Sequence, residues 1–434
     1  MVITGRMDHA IATYRASLPL LEACGDRHAQ GQCLSDFGFA LMLQGDFGQA
    51  ERLGACALAI GRETCDEPIM AKALNLLGNI ANTLGHFNDS VGHYQSALEL
   101  GCLGGPGVDR CSLLKNIGVA YYELGDYPRA VACQQQALTL AEAAGQLLEI
   151  GAIHLNFGII RQRQHDLAGA LEFFRRALST FAQIGHKDLA RKVHNYLGIV
   201  HSDLGQLSLA LTHYGESLAL ARDMGDQSGL ATVLNNLGNI YLNRGDYPQA
   251  ARDFGECLRL FKDMGHEEGE AIASANLGEV LKELGEYPES DRLYSRAIGY
   301  GRKQQARYYL CHFLAGYADL KLRQGHDDQS LALAGEGLRL AQQLTVPDIS
   351  FSCRLLQARL RAKRDLPAAL SQLRRLRDAC REDEPRAQAA YWLFTHGRLE
   401  ADRLATLEVL RRLDTDPENL ALKQMIQELE MAER

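Results

Sequence analysis

Apolar residues recur three and four positions apart through almost the whole chain, as in Leu234, Leu237, Ile240 and Tyr241. That spacing predicts amphipathic α-helices, each with one face to bury. The stretch NNLGNIYLNRGDYPQA, residues 235–250, has near-copies above and below it at a period of 40 residues. Gly38, Gly78, Gly118, Gly158, Gly198, Gly238 and Gly278 keep that period. So do Gly45, Gly85, Gly125, Gly205, Gly245, Gly285 and Gly325, with His165 standing in once. A third set is Gly25, Gly105, Gly145, Gly185, Gly225 and Gly265, interrupted by Cys65 and Gln305. Ala50, Ala130, Ala170, Ala210 and Ala250, with Ser90, Ser290 and Ser330, form a fourth.

Each unit therefore reads as two helices. The Gly238 set falls inside the first, helix A, where glycine costs about 1 kcal/mol. A cost repeated at every unit requires an offset, and close approach of a neighbouring helix that a Cβ would block supplies one. The Ala250 set does the same in helix B. The Gly245 set ends helix A at a positive φ. In GDYPQA, Asp246 caps and Pro248 suits the first turn of helix B. The Gly225 set ends helix B. Such a pair cannot bury its apolar face alone, but stacked neighbours can. The expected fold is all-α, a right-handed superhelical solenoid of tandem antiparallel helix pairs.

These positions resemble the tetratricopeptide repeat. The family pattern is visible as Leu74, Leu77-Gly78, Ser90, Tyr94 and Ala97, and again as Leu234, Leu237-Gly238, Tyr241, Ala250 and Phe254, with Cys257 replacing the last Ala. The usual repeat is about 34 residues, so a period of 40 implies longer helices. This longer form is similar to the Leu-Gly-Asn repeats of spindle-orientation scaffolds, matched by Leu77-Gly78-Asn79 and Leu237-Gly238-Asn239. It is also similar to repeat regions of bacterial signalling ATPases and transcription activators. The resemblance covers roughly residues 5–340 and carries packing rather than chemistry.

The expected organisation is helix B of an incomplete first repeat over 1–29, tandem repeats over 30–346, a divergent repeat over 347–384 and a degenerate helical C-terminal cap over 385–434. Gly5, Ala10, Tyr14 and Ser17 share the phases of Gly45, Ala50, Gly54 and Ala57, so the chain is expected to open at a turn. That half-repeat suggests an upstream domain of the same parent protein. The segment LGGPGVDR, 103–110, keeps the period but shortens the end of one helix B. The C-terminal segment carries Trp392, the single tryptophan, and reads as a cap, with a dimerisation or docking element as the alternative.

The inner face of such an array is lined mainly by helix A. The inner stripe is expected six and two or three residues before the Gly238-type residue, and one and five after it. Asn116, Asn156, Asn236 and Asn276 fall two before. Asn75, Asn195 and Asn235 fall three before, and Asn79 and Asn239 one after. An asparagine amide both donates and accepts, so this ladder can hold a peptide backbone. The alternative is that the amides bond to the next repeat and stiffen the stack. Lys72, Lys115, Arg163 and Lys192 share the stripe in the first half, and Glu279, Glu283 and Asp319 in the second. The groove is expected to be basic, then acidic, which would orient a bound segment. Lys72, Asn75, Asn79 and Asn116 match only part of the two-carboxylate clamp of chaperone-binding relatives, so chaperone tails are not expected.

Composition narrows the functions. The net charge of −8 argues against nucleic acid or an anionic membrane as partner. No apolar run is long enough to span a bilayer, and MVITGRMDHA lacks a secretory layout. Eleven cysteines without a Cys-x-x-Cys read as reduced residues of a cytoplasmic protein. Gly, Ala, Leu and Arg usage points to a bacterial source. His194 and His201, seven apart on one helix face, read as packed histidines rather than a metal pair, and no His-Glu-x-x-His accompanies them. GCLGGPG follows a helix, not a strand, and makes a poor phosphate cradle. There is no phosphate-loop signature, nucleophile elbow or helix-turn-helix reader. The expectation is a non-catalytic scaffold without cofactor, binding an extended or helical segment of a protein partner in its concave groove. The alternative is a regulatory or sensor arm of a larger bacterial signalling or ATPase protein.

Overall fold

The computed structural model describes residues 2–100, 108–380, 383–397, 400–413 and 420–432. These form twenty-two helices and no strand. The chain divides into two compact units, Met1–Tyr196 and Leu197–Arg434. The first unit holds α1 (Val2–Cys24), α2 (Arg27–Gln44), α3 (Phe47–Glu63), α4 (Glu67–Thr83), α5 (Phe87–Leu98), α6 (Arg110–Glu123), α7 (Tyr127–Ala143), α8 (Leu147–Arg163) and α9 (Leu167–Gln183). Helix α10 (Lys187–Asp203) contains the boundary. The second unit continues with α11 (Leu207–Met224), α12 (Gln227–Arg244), α13 (Tyr247–Asp263), α14 (Glu267–Glu283), α15 (Tyr287–Lys303), α16 (Arg307–Arg323) and α17 (Asp327–Gln343). It ends with α18 (Pro347–Ala362), α19 (Leu366–Ala379), α20 (Asp383–Gly397), α21 (Glu400–Leu413) and α22 (Leu420–Met431). Within each unit every helix packs on the next, and the even-numbered helices, the A helices, also touch one another, as α2 does α4 and α14 does α16.

The local reasons are those legible in the repeat. Gly245 closes α12 at φ 79°, Asp246 Oδ1 accepts the Gln249 N–H at 3.2 Å, and Pro248 enters α13 in its first turn. Where the period substitutes another residue, the backbone keeps the geometry: Cys65, His165, Gln305 and Thr345 sit at φ 53–60°. At Gly78, Gly158, Gly198 and Gly238 the helix-A glycine makes room for an aromatic ring from helix B. A Cβ on Gly78 would lie 2.5 Å from Tyr94, and one on Gly238 would lie 2.7 Å from Phe254. Both rings are fully buried, and burying one contributes roughly 2–3 kcal/mol, more than helical glycine costs. The alanine set is fully buried too. Where serine replaces it, the hydroxyl finds a partner across the pair: Ser90 donates to the Gly78 carbonyl at 3.0 Å, Ser290 to Gly278 at 2.6 Å and Ser330 to Ala318 at 2.7 Å.

One expectation is corrected. The turn at Gly5 is absent, because α1 already runs from Val2 and passes through Gly5. Residues 103–107 of the glycine-rich LGGPGVDR segment, and the GCLGGPG stretch, lie outside the described residues. Helix α5, which precedes them, has 12 residues where most of its counterparts have 17.

Candidate ligand groove

The second unit contains a cavity of about 730 Å³ against the A helices α14, α16 and α18. Its wall follows the stripe anticipated from the repeat. Asn276 and Gly316 hold the phase two before the reference residue, Glu279, Asp319 and Arg359 the phase one after, Glu283 and Arg323 the phase five after, and His312 and Ser352 the phase six before. Recurrence every 40 residues stacks like positions of successive helices in one surface, so one row of the sequence becomes one wall.

The polar floor of this cavity is an ionic network that closes on itself. Lys282 is 4% exposed. Its Nζ lies 2.6 Å from Glu279 Oε1 and 2.8 Å from Asp319 Oδ2. Arg323 grips Glu283 through both Nη atoms, at 3.0 and 2.6 Å, and reaches Asp319 through Nε at 3.2 Å. Arg359 Nη1 meets Asp319 Oδ1 at 2.9 Å, while its guanidinium lies 4.0 Å from the centre of the Trp392 ring. The remaining oxygen of Glu279 accepts the Tyr294 hydroxyl at 2.5 Å. Burial pushes the Lys282 ammonium down, but Glu279, Asp319 and Glu283 overcome it and hold the group above the ordinary lysine range. Burial likewise raises Asp319, and Lys282, Arg359 and Arg323 reverse this and hold its carboxyl far below the usual range. Arg359 goes the other way, lowered by burial against the opposing pull of Asp319. Tyr294 is pushed well above the phenol range, by burial first and by Glu279 next.

The expectation of an acidic second half is therefore corrected. Three carboxylates, Glu279, Glu283 and Asp319, meet three cations, Lys282, Arg323 and Arg359. Lys282 lies off the stripe, whereas Arg323 and Arg359 lie on it, Arg323 five after Ala318 in the helix that supplies Asp319 and Arg359 one repeat further on. The 40-residue spacing of Glu283 to Arg323 and of Asp319 to Arg359 was the available signal.

The far wall comes from α20 and α22, through Gln388, Tyr391, Trp392, Gln424, Met425 and Glu428. The Tyr391 hydroxyl donates to Glu428 Oε2 at 2.6 Å. Burial, and then that bond, push the phenol up to about 12.

The asparagine ladder divides into three kinds. Asn276 Nδ2 donates to Asn235 Oδ1 at 2.8 Å, bridging α14 and α12, so this pair stiffens the stack, although Asn276 also lines the cavity. Asn79 Oδ1 accepts the Tyr94 hydroxyl at 2.7 Å and fixes the ring under Gly78. In the first unit Asn75, Asn116 and Asn156 are half-buried on α4, α6 and α8 and make no side-chain hydrogen bond among the described residues. Asn195 on α10, and Asn236 and Asn239 on α12, are half-buried as well. Asn195 and Asn236 have interaction partners.

The basic half is also matched by acids. Lys72 lies 3.3 Å from Asp36, Lys115 pairs with Glu149 at 2.5 Å, and Lys192 pairs with Asp188 on its own helix at 2.9 Å. Arg163 is exposed at the end of α8. His201 bonds Gln206 at 2.7 Å and stacks on His213. Among the described residues no group of three or more His, Cys, Asp or Glu side chains could hold a metal ion, and no helix is long and apolar enough to cross a membrane.

The family model for the tetratricopeptide repeat matches residues 69–143, 149–223, 188–263 and 229–303, together over half the chain. A comparison with curated proteins gives no match. Among solved structures, a signal-transduction ATPase with numerous domains and a tetratricopeptide repeat sensor, from Pyrococcus horikoshii, superposes with a TM-score of 0.56 at 12% identity, over 84% of this chain and 54% of that one. The Rap conjugation gene regulator of plasmid pLS20, in complex with the Phr* peptide, gives 0.52 at 16% identity, over 78% and 96%. A Rap protein complexed with competence and sporulation factor gives 0.51 at 15%, over 79% and 99%. At these identities the likeness is one of fold.

Proposed function

The chain belongs to the tetratricopeptide repeat family, and from that premise we propose that this interaction scaffold binds a peptide segment of a protein partner along its A helices, without catalysis and without a cofactor. The observation that carries the reading is the cavity of about 730 Å³ built from positions that recur every 40 residues, a size within the range of ligand pockets. Asn116 and Asn156, at one phase of α6 and α8, offer unclaimed amides to a backbone in the first unit. The Phr* peptide in complex with the Rap conjugation gene regulator supports the same ligand class.

The test is capture of partners by the wild-type chain, mapping of the bound segment, and calorimetry of that segment against the wild type and an Asn116→Ala/Asn156→Ala variant. The expected loss is about 1–3 kcal/mol for two hydrogen bonds. Unchanged affinity in an equally stable variant would overturn the role of the ladder. Absence of any segment-binding partner would overturn the reading as a whole.

The match to the sensor-bearing ATPase favours a second reading, in which the array is the sensor arm of a larger signalling protein. An antibody against these residues would then detect a native polypeptide much longer than 434 residues. A native band at the length of this chain would reject it.

A further inference from the structure

The cavity of the second unit has two unlike ends. Helices α14, α16 and α18 are the A helices of successive repeats and run in the same direction. Toward their N-termini the lining is uncharged, with Ala275, His312, Phe313 and Ile349. Burial, ahead of the opposing pull of Asp348, holds His312 below the ordinary imidazole range, so it stays neutral there. Toward their C-termini the lining is the ionic network around Asp319. From Phe313 to Asp319 the helix rises roughly 9 Å.

Helices α20 and α22 form the far side of the cavity and are fixed there. α22 packs on α12 and α20 on α18, so the cavity is bridged at both ends of the row of A helices. Met425 and Leu429 are set among Leu407 and Leu410, and the Leu429 carbonyl accepts from buried Arg403 at 3.1 Å. A segment held here therefore crosses the row, along α14 and α16, and meets the uncharged end and the ionic end in turn.

The charges of the floor cancel, but those of the whole lining do not. The fourth carboxylate is Glu428 of α22. It accepts from two neutral donors, the Tyr391 hydroxyl at 2.6 Å and Gln424 Nε2 at 3.1 Å, and no cation bonds it among the described residues. Tyr391 meets the Trp392 ring edge-on at 5.5 Å, and Arg359 lies over that ring, which sets Glu428 beside the ionic end. Four carboxylates and three cations leave one negative charge in the lining, and the low-dielectric walls of a cavity concentrate its field.

We propose that Glu428 selects the bound segment by pairing with a lysine or arginine side chain, and that an apolar side chain about three residues away in an extended segment fills the end at Phe313 and Ile349. This rests on the reading of the cavity as a peptide site and names the residue that chooses the peptide.

The experiment uses the full chain, immobilised, and a random library of short peptides, acetylated and amidated so that only side chains carry charge. Retained peptides are sequenced for the wild type, for Glu428→Gln, which keeps an acceptor for Tyr391, and for Glu428→Lys. The wild type is expected to enrich Lys and Arg together with an apolar residue. Glu428→Gln should keep the apolar preference and lose the cationic one, and Glu428→Lys should turn it toward Asp and Glu. The strongest wild-type binder, followed by fluorescence anisotropy, should bind Glu428→Gln about fivefold more weakly, as expected for an exposed ion pair. That difference should shrink in about 1 M salt. A retained pool without charge preference, or a cationic preference that survives in both variants, would overturn the proposal and leave the cavity a peptide site. A wild type that retains no peptide would overturn both.

Discussion

Asp319 on α16 and Arg359 on α18 hold the same phase of consecutive repeats, 40 residues apart, and meet at 2.9 Å through Oδ1 and Nη1. The pair shows how a periodic fold builds a charged floor: one position, read across repeats, becomes a contact. It also makes Asp319 the joint of the network, since Lys282 and Arg323 bond the same carboxylate. Asp319→Ala would take away the carboxylate that Lys282, Arg323 and Arg359 share, leaving Lys282 to Glu279 and Arg323 to Glu283 and depriving Arg359 of this ion pair, and the expected cost is about 3 kcal/mol by urea denaturation. The folded Asp319 carboxyl is depressed below its unfolded value near 3.8. Its contribution is therefore complete above about pH 4 and is lost as pH falls through the folded value. Acid titration of the wild type against Asp319→Ala should show the gap between them closing below pH 4.

Asp253 on α13 has the opposite sign. It is buried where the period elsewhere places Leu53, Leu293 and Leu333, and its Oδ2 has no partner. Oδ1 accepts from Gln249 at 3.0 Å. Burial, ahead of that bond, raises the carboxyl from 3.8 to about 6. Below pH 4 both folded and unfolded states are protonated and nothing is lost. Between pH 4 and 6 the folded state holds more protons, so stability falls as pH rises, and the full penalty applies above 6. Asp253→Asn should stabilise the protein at pH 8 by up to about 3 kcal/mol, and by close to nothing at pH 4. A gain that persists at pH 4 would mean that packing, not charge, is responsible.

The sequence carried the fold because the repeat constrains backbone and packing together. A glycine under an aromatic ring, such as Gly78 under Tyr94, and an αL turn, such as Gly245, leave a mark every 40 residues. The phases that form the wall were legible for the same reason, as Asn276, Glu279 and Glu283 show. Which asparagines are spent inside the chain was not. Asn79 is claimed by Tyr94 and Asn116 is unclaimed, although both lie on the stripe. That depends on the reach of a hydroxyl across two helices, which spacing does not encode. Nor was the return of α22 to α12 legible, since the period ends near residue 385 and a lone amphipathic helix does not name the surface it covers.

Glycine-to-alanine changes should give opposite results at two kinds of helical site. In Gly78→Ala the new methyl would lie 2.5 Å from Tyr94, and the expected overpacking of about 1–3 kcal/mol exceeds the roughly 1 kcal/mol gained in helix propensity. Gly255 in α13 has no atom within 4 Å of an added Cβ, so Gly255→Ala should stabilise by up to about 1 kcal/mol. Thermal melts of the two variants should bracket the wild type. If both raise the melting temperature, the ring over Gly78 is free to shift.

The turn between α15 and α16 carries Gln305 at φ 54°, at the phase where Gly225 and Gly265 serve the same bend. A left-handed backbone costs an ordinary residue about 1–2 kcal/mol more than it costs glycine. Glycine in turn adds freedom to the unfolded chain, worth about 0.4–1 kcal/mol. The Gln305 side chain is exposed, so its removal uncovers nothing. Gln305→Gly is therefore expected to stabilise by about 0.5–1 kcal/mol, read as a rise in the urea midpoint at unchanged slope. Gln305→Ala keeps the strain and should leave the midpoint where it is. A Gly variant no more stable than the Ala variant would show that the left-handed turn is held without strain by the helices on either side.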